Sequence, residues 1–87
     1  MPRVSSFFGI AIKMYWDEAG HQTPHFHAEY GEHMAAIGFD GKLLAGSLPA
    51  RAQRYVREWA ELHRDELEAN WSRARAEQPL EQIAPLS

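Results

Sequence analysis

The 87-residue sequence predicts an α+β fold: an antiparallel sheet of about four strands over residues 7–47, packed against one long helix over 49–77. Three observations predict it. Apolar residues alternate with a period of two through the first half. The repeat then changes to three- and four-residue steps at Ser47-Leu48-Pro49. Neither Gly nor Pro occurs from Ala50 to Gln78. The length suits one domain, 1–87, ending in an extended tail over 79–87.

Phe8, Ile10, Ile12, Met14 and Trp16 alternate with Phe7, Gly9, Ala11, Lys13 and Tyr15, so the first strand has one heavily apolar face. Asp17 to Pro24 carries Asp, Gly and Pro with little apolar content, which is turn chemistry. The second strand is His25 to Tyr30, with Phe26, Ala28 and Tyr30 on one face and His25, His27 and Glu29 on the other. Gly31-Glu32 turns the chain, and Ala35, Ile37 and Phe39 alternate as a third strand. Asp40-Gly41 is a hairpin signal, after which Lys42 to Ser47 makes a short fourth strand.

Ser47 is placed to cap the helix, with Pro49 in its first turn. Val56, Trp59, Leu62, His63, Leu67, Asn70, Trp71 and Ala74 then share one helical face. A continuous helix of this length would run ~40 Å at 1.5 Å per residue, against ~17–20 Å for a typical strand. It must overhang the sheet or bend, and His63-Arg64-Asp65 is the expected place. Pro79 ends it, and Leu80, Ile83 and Leu86 are suited to pack the tail back onto the domain.

Nine Lys and Arg against twelve Asp and Glu give a formal charge of −3, which disfavours a nucleic-acid partner. The helix arginines Arg51, Arg54, Arg57, Arg64, Arg73 and Arg75 are interleaved with Glu58, Glu61, Asp65, Glu66 and Glu68, the pattern of a solvated, salt-bridged face. The absence of cysteine excludes disulfides and thiolate chemistry and fits a reducing compartment. No run approaches the ~20 apolar residues that span a bilayer, and Met1-Pro2-Arg3-Val4-Ser5-Ser6 has no signal-peptide core. A cytoplasmic protein without a membrane segment is expected. Neither a G-x-S-x-G elbow nor a glycine-rich phosphate loop occurs, so no nucleophile or nucleotide site is assigned, and whether the chain is an enzyme is left open.

The chemically pointed segment is Pro24-His25-Phe26-His27-Ala28-Glu29-Tyr30. On a strand, His25 and His27 project to one side with Cα atoms ~6.6–6.8 Å apart, so two imidazoles can converge on a divalent metal such as zinc. Glu29, Glu32, His33 or His63 would have to complete the ligand set. Otherwise these histidines pack and bond to backbone carbonyls, and no cofactor is needed. His63, in an otherwise apolar stripe, reads as a hydrogen-bonded histidine at the core's edge. With Tyr30, the three histidines are the candidate binding residues; His25 and His27 are the candidate metal ligands. Because Phe26, Ala28 and Tyr30 suit the core, the histidine pair is expected to face solvent, a groove or a partner. Gly9, Ala11, Ala36, Gly38 and Gly46 on that side would let a second chain approach closely, or else mark bulges and turns.

Phe7-Phe8-Gly9-Ile10, Met14-Tyr15-Trp16, Pro24-His25-Phe26-His27-Ala28, Tyr30-Gly31, Gly46-Ser47-Leu48-Pro49 and Glu58-Trp59, followed by Leu62-His63, Glu66-Leu67 and Trp71, resemble the small bacterial domain-of-unknown-function 4160 family. The resemblance covers nearly the whole chain. It implies a protein encoded beside a second small protein, in a toxin–antitoxin-like pair, and it transfers no catalytic residue. One departure is Ala19-Gly20-His21-Gln22-Thr23, which lengthens the first loop and adds a histidine. Three functions are expected to compete: a protein-binding component of such a pair, as heteromer or homo-oligomer; a small RNase-like toxin using His25, His27 and Tyr30; and a His-x-His metal-binding domain.

Overall fold

Five strands follow one another in the computed structural model, which describes residues 3–15 and 23–87: β1 (Arg3–Phe7), β2 (Ile10–Lys13), β3 (His25–Tyr30), β4 (His33–Gly38) and β5 (Leu43–Gly46). They form one antiparallel sheet in the order β1-β2-β3-β4-β5, each strand paired with its sequence neighbour. Two helices follow, α1 (Ala50–Leu62) and α2 (Arg64–Arg75), and then a tail without regular structure. The α+β class and the antiparallel sheet are as expected. Trp16 and residues 17–22 of the loop expected over Asp17 to Pro24, His21 among them, lie outside the described residues.

The strand count is corrected from four to five at Phe8-Gly9. Both residues have positive φ, +50° and +80°, so the chain reverses there and Phe7 pairs with Ile10. Two left-handed residues in a two-residue loop match the right-handed twist of the flanking strands. The apolar alternation of Ile10, Ile12 and Met14 runs unbroken into Phe8, which hides the turn in the sequence; in the structure Phe8 is exposed and Phe7 is buried. The sheet consequently begins at Arg3 rather than at residue 7.

The single helix is likewise corrected to two, and the break falls at His63, where the bend was expected. Ser47 does not cap α1. Its N–H donates to the Met34 carbonyl at 3.1 Å, closing the end of the sheet, and Pro49 occupies the N-cap position without a side-chain bond. Gly46 before it has φ +78°, and a Cβ there would stand 2.1 Å from the Met34 carbonyl oxygen, so only glycine lets β5 leave β4 this closely. Among the described residues, no helix is long and apolar enough to cross a membrane.

One face of the sheet carries the core. Val4, Ile10, Ile12, Phe26, Ala28, Ala35 and Ile37 meet Ala52, Val56, Trp59, Ala60, Leu67 and Trp71 from the helices. Trp59 is fully buried, its ring 5.5 Å from Phe7 and 5.6 Å from Phe26, and its indole N–H donates to the Ala84 carbonyl at 2.8 Å. Ile83 and Leu86 are buried, as expected for a packing tail. Asn70, also fully buried, holds that tail in place of a strand: its amide donates to the Glu81 carbonyl and accepts from the Glu81 N–H, both at 2.9 Å. The tail then lies against β1, where the Ile83 N–H donates to the Val4 carbonyl at 2.8 Å and Gln82 Nε2 to the Arg3 carbonyl at 2.6 Å.

Trp59→Ala should cost ~3–5 kcal/mol in urea unfolding, the usual loss for a large buried aromatic. A loss below ~1 kcal/mol would mean that the ring is not central to the core. Asn70→Leu should cost ~1–3 kcal/mol, because it leaves both polar groups of Glu81 without their partner. The same variant should speed proteolysis within residues 79–87, and unchanged cleavage there would refute the clamp.

Candidate functional site

The sheet face opposite the helices carries the chemistry, and the strand register assembles it. Lys13 pairs with His27, Ala11 with Glu29, and Ala36 with both His27 and Ala45 across three successive ladders. Alternation sends all of these side chains to the face away from Phe26 and Ile12. Short alanines at Ala11, Ala36 and Ala45 leave room around the longer groups.

His27 is half-buried near the middle of this patch, with the Tyr15 ring edge-on at 4.7 Å between centroids. Lys13 Nζ reaches both carboxylate oxygens of Glu29 at 3.1 Å, diagonally across β2 and β3. Both partners keep about a quarter of their side-chain surface, so the pair is partly desolvated and geometrically fixed. An imidazole, a phenol, an ammonium and a carboxylate thus share one accessible surface. Such a set can exchange protons, whereas the one cation in it is already paired with Glu29.

His25 departs from the expectation that the pair would lie open together. Only 4% of its surface is exposed; the ring packs on Trp71 of α2 at 5.6 Å, and Nδ1 bonds the Thr23 carbonyl at 2.8 Å. Its ring still lies 5.1 Å from that of His27, so the structure does bring the two together. Tyr30 falls on the other phase at the far end of β3, about 16 Å along the strand from His25. Its ring lies instead against Gly9, in a small pocket with Phe8, Arg51 and Tyr55. His63 sits at the junction of α1 and α2, its ring 5.7 Å from Trp59 and its Nδ1 2.5 Å from Glu66 Oε1. Four expected binding residues therefore divide among three places.

Among the described residues, no group of three His, Cys, Asp or Glu side chains is placed to hold a metal ion. Lys13 is the site residue that reading the sequence missed. The signal was present: Lys13 shares its phase with Ala11 and Tyr15, and pairing β2 with β3 sets it beside His27.

Residues 9–72 match the family model for Domain of unknown function (DUF4160). No curated protein and no solved structure matches the chain.

His25→Ala should lower stability by ~1–3 kcal/mol, since it opens a cavity against Trp71 and frees the Thr23 carbonyl. His27→Ala should cost less than His25→Ala, because its ring is half-buried where that of His25 is buried. Thermal melts giving the reverse order would make His27 the structural member of the pair.

Proposed function

We propose that this chain, which belongs to the domain-of-unknown-function 4160 family, is a protein-binding component of a two-gene, toxin–antitoxin-like system. One observation carries the protein-binding part of the reading, the two-gene part resting on the family resemblance alone: the two edges of the sheet are treated oppositely. The edge at β1 is covered by the chain's own tail through the Ile83 and Gln82 hydrogen bonds. The edge at β5 is exposed at all four residues, including Leu43 and Leu44, and Met34 on the adjoining strand is 60% exposed. An uncovered apolar edge attracts other chains, and a protein that keeps one has a use for it or a partner that hides it.

Co-expression with the product of the adjacent gene tests this. A stable complex on size exclusion supports the reading, and two species that elute separately at micromolar concentration refute it.

A second reading is favoured by the sheet face. His27, Tyr15, Lys13 and Glu29 resemble the groups that metal-independent RNA cleavage needs, with Tyr15 and Glu29 taking the places expected of Tyr30 and His25. The formal charge of −3 weighs against it unless a partner supplies cations. RNA cleavage by the purified protein, lost in both His27→Ala and Glu29→Gln, would establish it.

A further inference from the structure

β5 is hydrogen-bonded to β4 on one side, and among the described residues no strand lies on its other side. Alternate N–H and C=O groups along an edge strand point outward, and the partner that satisfies a row of them is another extended backbone. Two of the usual guards of such an edge, charge and proline, are missing here, although the strand is short and bulged. Leu43-Leu44-Ala45-Gly46 contains neither a charge nor a proline.

The side chains are arranged as well. Ala36 pairs with Ala45 and Ile37 with Leu43, so Leu44 is the extra residue of a bulge. Bulges re-aim side chains, and Leu44 forms one wall of a concavity of ≈ 370 Å³ with Pro24, Phe39 and Trp71. Phe39 and Trp71 are buried and make its floor, their rings edge-on at 5.9 Å. On its rim, Arg64 and Glu68 are joined at 2.8 Å, so the polar margin is already internally paired. An open edge beside an apolar pocket is the combination that strand addition uses: backbone bonds give affinity and the pocket selects a side chain.

Charge narrows the occupant. Lys42 enters β5, and Arg57 of α1 packs on the turn at Gly41; both are exposed, and neither has an ion pair among the described residues. In the same turn, Asp40 Oδ1 accepts the Lys42 backbone N–H at 2.9 Å. A second copy of this chain pairing through its own β5 would bring no acid from the paired strand, because β5 has none. We propose that β5 takes an extended segment of a protein partner as a sixth strand, with a large apolar side chain in the Leu44–Phe39–Trp71 pocket and an acidic residue beside Lys42 and Arg57. This rests on the protein-binding reading and specifies its surface and its chemistry.

The test begins with a phage library of random nonapeptides selected on the full chain. Selected peptides should alternate apolar and polar residues, with an acid near one end. By fluorescence anisotropy their affinity should fall at least about tenfold on Leu44→Glu and about three- to tenfold on Lys42→Glu with Arg57→Glu. Leu44→Lys replaces Leu44→Glu if thermal melts show that the latter unfolds. Bound peptide should also slow amide exchange across residues 43–46. Failure to select peptides, or peptides that bind the Leu44 variants undiminished, overturns the proposal. So does a dimer that Leu44→Glu converts to monomer, because the edge then takes a second copy. If the adjacent gene's product co-purifies equally with the wild type and Leu44→Glu, strand addition fails while the protein-binding reading stands. If it co-purifies with neither, the reading itself fails.

Discussion

Trp59 is the side chain on which the rest of the domain depends. Its ring touches β1 through Phe7, the central strand through Phe26 and the helix junction through His63. Its one polar atom reaches the tail at Ala84. A domain of this size buries only ~60–65% of its unfolded surface, so a few large aromatic rings must supply much of the apolar contact. Trp satisfies two needs that Phe would not: it fills the space between sheet and helix, and its N–H fixes the segment that closes over them.

That closure sets the character of the two sheet edges. Asn70 presents an amide where a strand would present a peptide group, so the tail is held without forming a ladder of its own. Its hydrogen bonds reach β1 and leave β5, at the opposite side of the sheet, untouched. The outer sheet face, apart from its His25 end beneath Trp71, is also uncovered by the helices, but it is polar. Lys13 and Glu29 bridge two strands there, and His27 and Tyr15 pack edge to face. Large apolar side chains are exposed instead at Leu43 and Leu44 of β5 with Met34 beside them, at the Phe8 turn, and at Leu62, where α1 ends.

Periodicity made most of this architecture legible. The period-two pairs Ile10/Ile12 and Phe26/Ala28 name the core face, and Val56, Trp59, Leu67 and Trp71 name the helical one; all eight are buried. Phe8 was illegible for a physical reason, since a bulky residue at φ +50° is disfavoured and a single glycine, Gly9, inside an apolar alternation reads equally as a bulge or a close approach. The break at His63 was readable from helix length against sheet width, although not as two separate helices. At the site, the shared face of His25 and His27 follows from alternation alone. The burial of His25 under Trp71 does not, because it depends on where α2 crosses the end of the sheet. Lys13 beside Glu29 needed the strand register, which is a relation between strands and not within one.

The clasp between the tail and β1 joins Gln82 to Arg3 across 79 positions of sequence. Contacts so distant carry the largest loop-closure cost and form only after the intervening chain is in place. During synthesis, β1 through β5 leave the ribosome well before residue 83 does. Any sheet that forms before Gln82 and Ile83 dock has both margins bare. Whatever meets the sheet at that stage meets a two-sided template, and their docking converts it to a one-sided one.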